Sequence, residues 1–361
     1  MFFAGIDAHT RYVVVAVIDS QGQCRLTSPR VRVEEPERLR ELLAPYRPLE
    51  AIVETSPSWP WLHEVLTGAG IHFVLAHARR LRAIAEANYK RDEVDAALLA
   101  RMRLAGLIPE VYPTPSAQRD WATLVRHRAT LVRQRTALVN RLHAQLHAHG
   151  LHLERGRVLT RAGRQWLRTI AWPMLSPEQR AVLNTHLRLM AGLRPLIQAL
   201  NRRIAQVAAP MAEAQLLMTI PGIGPQRALV VCAEALPITR FPTPGHLASY
   251  AGLVPRSKQS GQRPVQHGAI PAGANRWLRG ALVRAVVSHV THTPESWLTA
   301  YYRTQKARVG WPVARVATAR KLARVIHAML RTGARWQATT AHPHLKPQGE
   351  SSTNHMPHRT A

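Results

Sequence analysis

The chain has 361 residues, 46% of them hydrophobic, which suits two or three domains with cores of their own and excludes a disordered chain. Its 49 Lys and Arg against 21 Asp and Glu give a net charge of +28. That balance excludes an ordinary neutral metabolic enzyme as the default and points to a polyanionic partner, nucleic acid first and a membrane surface second.

No apolar run approaches the ~18 residues of a membrane span. The start lacks the pattern of a secretory leader. Two distant cysteines, Cys24 and Cys232, exclude a disulfide framework or a cysteine zinc site and fit a reducing cytoplasm. Residues 1–110 hold 14 basic and 14 acidic side chains, so residues 111–361 carry the whole excess. Only five basic residues are lysine; the arginine fork suits phosphate oxygens.

Phe2–Asp7, Tyr12–Asp19 and Cys24–Val33 read as strands, with a turn at 20–23. Glu34-Glu35-Pro36-Glu37 opens a helix to about Leu43, since proline and acids suit a first turn. Ala51–Glu54 and Ile71–Leu75 read as strands, and Pro60–Gly68, His77–Glu86 and Asp92–Ala105 as helices. This order predicts an α/β domain over 1–110. A coiled-coil region is predicted over 111–215. In its first helix, 117–149, Leu124, Leu131 and Leu138 recur every seven residues, flanked by Arg126, Arg128, Arg133 and Arg135. In its second, 178–215, Met190, Leu193, Ile197, Leu200, Ile204, Val207 and Met211 step by three and four. Pairing within one chain and pairing between subunits both satisfy that pattern. Residues 150–177 read as a connection. Residues 216–338 form a mainly helical domain with a polar loop at 255–275 and helices near 276–292 and 312–331. The polar residues 339–361 read as a disordered tail.

Four carboxylates could carry chemistry. Asp7 and Glu54 end strands, and Asp92 and Asp95, three apart on a helix, share a face. Such a set suits two Mg²⁺ ions that clamp the attacking and leaving oxygens of phosphoryl transfer. Ordinary solvated or capping acids satisfy the spacing too. Pro221-Gly222-Ile223-Gly224-Pro225 before a helix resembles a helix–hairpin–helix, which presents backbone N–H groups to a phosphate; a plain tight turn is the bland alternative. Pro255–Arg263 holds Ser257 and Ser260 among Arg256, Lys258 and Arg263. A serine there could attack a phosphodiester beside cations, or the stretch is simply a polar loop. His143 and His147 are four apart without the zincin glutamate. With His149 and His152 they read as solvated or nucleic-acid-facing residues.

Five stretches together resemble the DEDD-type insertion-sequence transposases. They are Gly5-Ile6-Asp7, Val53-Glu54-Thr55, Lys90-Arg91-Asp92-Glu93-Val94-Asp95-Ala96, Ile220–Pro225, and Tyr250–Arg256 leading to Ser260-Gly261. The resemblance spans about residues 1–335. It implies an RNase H-like, RuvC-like first domain and a coiled coil leading to a serine-bearing transposase domain. It implies Mg²⁺ on Asp7, Glu54, Asp92 and Asp95, and Ser260, before a glycine, as the nucleophile that joins to DNA. Gly222, Gly224, Arg227, Arg256, Lys258 and Arg263 are the expected DNA contacts. Such proteins are recombinases guided by a structured RNA, and a homo-oligomer, dimer or tetramer, is expected. The serine and the carboxylates fall on different segments, so docking must assemble them. The sequence departs from the family pattern at Ala272 and Ala274, where a lysine and a glycine are usual, and at Arg91, where threonine is common. A RuvC-like junction resolvase using metal-activated water, and a non-catalytic nucleic-acid-binding protein, are the rival readings.

Overall fold

The structure is a computed structural model. It describes residues 1–27, 29–84, 92–154, 156–255, 257–258, 266–268 and 273–338, and for 82–84, 92–94, 257–258 and 266–267 the backbone alone. The chain divides into two compact units, Met1–Ser116 and Ala117–Ala361.

The first unit is a mixed sheet with helices on both faces. Its strands are β1 (Phe2–Ala8), β2 (Tyr12–Asp19), β3 (Cys24–Leu26), β4 (Arg30–Arg32), β5 (Leu49–Glu54), β6 (His72–Ala76) and β7 (Glu110–Val111). Its helices are α1 (Pro36–Leu43), α2 (Trp59–Gly68), α3 (Ala78–Ile84) and α4 (Asp92–Leu104). The sheet order is β3-β2-β1-β5-β6-β7, with β4 also on β2. β1 and β2 are antiparallel, whereas β1, β5 and β6 run parallel through α-helical crossovers. The predicted strand 24–33 is therefore two short strands. Strand β7 was not anticipated, because two residues carry no periodicity.

Side chains alternate across a strand, so the two faces separate cleanly. Ala4, Ile6, Ala51 and Val53 pack with Leu39, Leu43, Leu62 and Leu66 of α1 and α2. On the other face Ile52 and Val74, with Phe3 beside them, pack with Leu99 and Met102 of α4. Helix α4 lies directly on β1. A Cβ on Gly5 would overlap the Ala96 carbonyl and approach Ala100 N to 2.9 Å, so only glycine admits so close a crossing.

The second unit is helical. It comprises α5 (Ser116–His147), α6 (Arg161–Trp166), α7 (Pro177–Ala208), α8 (Ala212–Met218), α9 (Pro225–Ala235), α10 (Pro244–Tyr250), α11 (Arg276–His292) and α12 (Trp297–Thr332). α5 and α7 pack antiparallel within the chain. Leu138, Leu142 and Leu146 meet Leu183 and Met190 at one end, and Val125 meets Ile204 at the other. Arg128 Nε donates to Asn201 Oδ1 at 2.9 Å between them. The buried positions of α7 are Leu183, Met190, Ile197, Ile204 and Ala208, the first four spaced by seven. Ser176 and Gln179 form a capping box at its start.

The predicted helix 178–215 breaks at Pro210, which has no N–H to continue the ladder; α8 follows. The connection 150–177 is not a bare linker: Leu151, Leu153, Val158, Leu167 and Leu175 fill a core against α5 and α7. α12 comprises an unpredicted helical segment from Trp297 and, beyond a kink at Gly310 (φ 76°), the helix predicted near 312–331. A larger core joins α8–α12. A two-stranded ribbon, β8 (Ser257–Lys258) with β9 (Gln266–His267), brackets residues 259–265. The tail beyond 338 lies outside the described residues. Among the described residues no helix is long and apolar enough to cross a membrane.

Candidate active site

Asp7 and Glu54 leave the sheet side by side. The parallel register pairs Gly5 with Ile52 and Ile6 with Val53, so the next residue on each strand is one of the two acids. By alternation, residues 3, 5 and 7 of β1 and 50, 52 and 54 of β5 face α4.

Helix α4 brings Asp95 to the same edge. Arg103 Nε donates to Glu50 Oε2 at 2.6 Å, and Leu99 packs with Ile52. One four-residue helical step is about 6 Å, close to the ~6.6 Å of two strand residues. Extended by one more step, the ladder 103–50, 99–52 points residue 95 toward residue 54. Ala96, next to Asp95, packs with Val14 and Ala16 beside β1. Asp92 lies a further turn along α4, and its side chain is outside the described residues.

His9 Nε2 lies 2.9 Å from Asp7 Oδ2, and the His9 ring packs on Tyr12 at 4.7 Å. His9 was not singled out in the sequence; a lone histidine two residues past the acid carries no periodic signal. The donors are all carboxylate oxygens, the chemistry a hard divalent cation takes, and the missing Cβ of Gly5 lets α4 carry Asp95 close to the sheet. Among the described residues no three His, Cys, Asp or Glu are drawn together tightly enough to hold a metal ion.

In the second unit the turn 219–224 joins α8 to α9. Gly222 has φ +92°, and a Cβ there would lie 2.7 Å from Ala285 O and 2.8 Å from His289 N. The glycine thus lets the turn seat on the α11 backbone. Gly224 caps α9 with open space around it. Arg227 Nη1 donates to Gly222 O at 2.7 Å. His289 Nδ1 meets Pro221 O at 2.8 Å, and its Nε2 meets Ser296 Oγ at 2.9 Å. The carbonyl can only accept, so Nδ1 carries the proton and Nε2 accepts from the serine. Burial lowers the His289 pKa, which keeps the ring neutral.

Ser260, Arg256 and Arg263 lie outside the described residues, as do Ala272 and the Lys258 side chain. The far end of the loop is anchored at Asn275. Its Oδ1 accepts from Trp277 N and Leu278 N, capping α11. Its Nδ2 donates to Glu234 Oε2 at 2.7 Å and to the Tyr250 hydroxyl at 3.1 Å. Buried Glu234 also accepts from Arg126 Nη2 at 2.5 Å. None of these partners was foreseen, since they are distant in sequence. His147, the last residue of α5, stacks on His152 at 5.6 Å and lies 6.0 Å from His143, which is buried rather than solvated.

Comparisons with known proteins bear on the family of the chain. A family model described as Transposase, of the DEDD type of IS110, matches residues 4–150. A second, described as Transposase IS116/IS110/IS902 family, matches residues 214–303. The transposase for insertion sequence element IS1111A of Coxiella burnetii is 29% identical over 274 residues, 74% of each chain. The insertion element IS110 43.6 kDa protein of Streptomyces coelicolor is 34% identical over 137 residues, 38% of this chain and 33% of that protein. Between them the two family models cover more than half of the sequence, in the order expected of one protein. The chain belongs to the DEDD-type insertion-sequence transposases of the IS110 kind.

Proposed function

We propose that the protein is a Mg²⁺-dependent DNA recombinase that cuts and joins strands at the ends of an insertion sequence. The observation that supports this reading is the β1–β5 register that sets Asp7 beside Glu54, with α4 laid on the same face of the sheet through Arg103–Glu50 and Leu99–Ile52. Asp7, Glu54, Asp92 and Asp95 would hold the cations. Bound there, two Mg²⁺ ions supply charge neutralisation at the attacking and leaving oxygens.

The nucleophile in this reading is Ser260. Its Oγ forms a bond to phosphorus, one bridging P–O bond breaks, and a free DNA hydroxyl leaves with a proton. The serine proton passes to a base or solvent. Joining is the reverse, with a second DNA hydroxyl attacking the serine phosphodiester. The glycine-bearing turn before α9, read as a helix–hairpin–helix, together with Arg227, Arg256, Lys258 and Arg263, holds the DNA backbone. A structured RNA pairs with the DNA and supplies sequence choice, and the working form is a homo-oligomer.

The test is to trap the reaction under denaturing conditions with radiolabelled DNA. A protein–DNA adduct with the wild type and none with Ser260→Ala supports the serine. Strand breakage without any adduct, unchanged in Ser260→Ala, replaces it with attack by water, as in a junction resolvase. Undiminished activity in Asp7→Asn and Glu54→Gln overturns the carboxylate assignment.

A further inference from the structure

Three arginines of the second unit converge at one end of a helix junction. Val125 of α5, Val230 of α9 and Ala281 of α11 meet in one buried cluster. Arg128 lies three residues beyond Val125, Arg227 three before Val230, and Arg284 three beyond Ala281. Each is thus about one turn from the shared contact. The charges that act on Arg128 are those of Arg135 and Arg284, and those that act on Arg227 are Arg284 and Arg128.

Two of the three arginines are held in place. Arg128 is braced by Asn201 through Nε, and Arg227 by the Gly222 carbonyl through Nη1. The Nε of Arg227 is buried without a hydrogen-bond partner. Arg284 is exposed and folds back over Gly280, its Nη1 3.2 Å from where a Cβ would stand. Nearby, Arg126 is already neutralised by Glu234, so the adjacent basic residue that has a carboxylate is excluded from the set. Burial and mutual repulsion both lower the pKa of Arg128 and of Arg227. Like charges gathered in partial burial are costly without an anion.

We propose that Arg128, Arg227 and Arg284 form a phosphodiester-binding site at the junction of α5, α9 and α11, continued along α5 by Arg135. The open N-terminus of α9 at Gly224 borders the site and adds the positive end of its dipole. Guanidinium forks take two phosphate oxygens at once, and a row at 128 and 135 on one helix face follows a backbone rather than one isolated ion. The ligand is a nucleic-acid strand, read by charge and not by base. The site deepens the nucleic-acid reading but does not depend on Ser260 or on the carboxylates.

The experiment uses the full chain without divalent cation, so that no strand is broken. Fluorescence anisotropy follows binding of labelled duplex DNA and of labelled single-stranded RNA across a salt series. Arg284→Gln and Arg128→Gln should each weaken binding about tenfold at low salt, the scale of a charge-assisted bond. On duplex DNA each should lower the salt slope by about 0.9. Arg188→Gln, the same charge change on exposed α7, should stay within about twofold, as for a screened surface charge. Arg284→Gln should also leave the thermal midpoint of the free protein unchanged or raised, because it relieves repulsion. A loss on one probe alone assigns the site to that nucleic acid; a loss on both assigns it to the shared backbone. Binding by the wild type with both variants unchanged overturns the site and leaves the functional reading standing. A wild type that binds neither probe overturns both.

Discussion

Arg103 of α4 and Glu50 of β5 fix where the helix lies on the sheet. Their 2.6 Å contact sits at the far end of α4 from Asp95, and Arg103 also reaches Glu110 of β7 at 2.6 Å. The Arg103 hydrogen bond holds the Glu50 carboxyl below its ordinary value, and the pair in turn raises Arg103. A depressed carboxylate stabilises the fold above its unfolded pKa, near 4.5, and that contribution is lost as pH falls through the folded value. Glu50→Gln should therefore flatten the acid limb of a stability–pH profile. Arg103→Met should cost about 1.5–3 kcal/mol. Chemical denaturation from pH 7 downward checks both, and an unchanged acid limb in Glu50→Gln removes the pair from this role.

Gly5 should be intolerant of any side chain. A Cβ would overlap the Ala96 carbonyl, and overpacking of this kind costs about 1–3 kcal/mol or more. Gly5→Ala should lower stability and, by lifting α4, reduce DNA strand breakage more than DNA binding. Equal losses of both would show general unfolding instead.

His289 should make the second unit acid-sensitive. Burial lowers its folded pKa below the ordinary 6.5, so the unfolded chain takes up the proton first. The stabilisation is complete above about 6.5 and falls as pH drops below that value. The thermal midpoint should decline between pH 7 and pH 5.5, and less steeply in His289→Gln, which changes no other titrating group. Parallel slopes for the two proteins would place the sensitivity elsewhere.

The two thiols should separate sharply in reactivity. Cys24 is exposed, whereas Cys232 is buried and its thiol is pushed up to about 12, burial being the main cause. Thiolate is the nucleophile, so a maleimide should label Cys24 in the native protein and reach Cys232 only after unfolding. Mass spectrometry of labelled peptides reads the outcome; native labelling of Cys232 would contradict its placement in the core.

Much of the first unit was legible because burial writes periodicity. The run Val13–Ile18 and the acids at the strand ends could be read directly, and the adjacency of Asp7 and Glu54 needed only the β1–β5 register. The antiparallel return of α7 on α5 was not decidable, since a heptad seam serves a partner in the same chain or another. Pro210 shows a local breaker overriding apolar spacing by ending α7 early, and Gly310 marks the kink just before the helix predicted near 312–331. The arginines at 126, 128, 133 and 135 were visible as a stripe. Their division into Arg126 neutralised by Glu234 and Arg128 facing Arg284 depends on residues more than a hundred positions away, which no local pattern encodes.

The central claim is that acids at the strand ends of the first unit hold the cation. Mn²⁺ titration of the full chain, followed by electron paramagnetic resonance, reads this without any reaction. The wild type should bind Mn²⁺ in competition with Mg²⁺, and the double variant Asp7→Asn with Glu54→Gln, of unchanged thermal midpoint, should lose that binding. Equal Mn²⁺ binding by the two proteins would contradict the account.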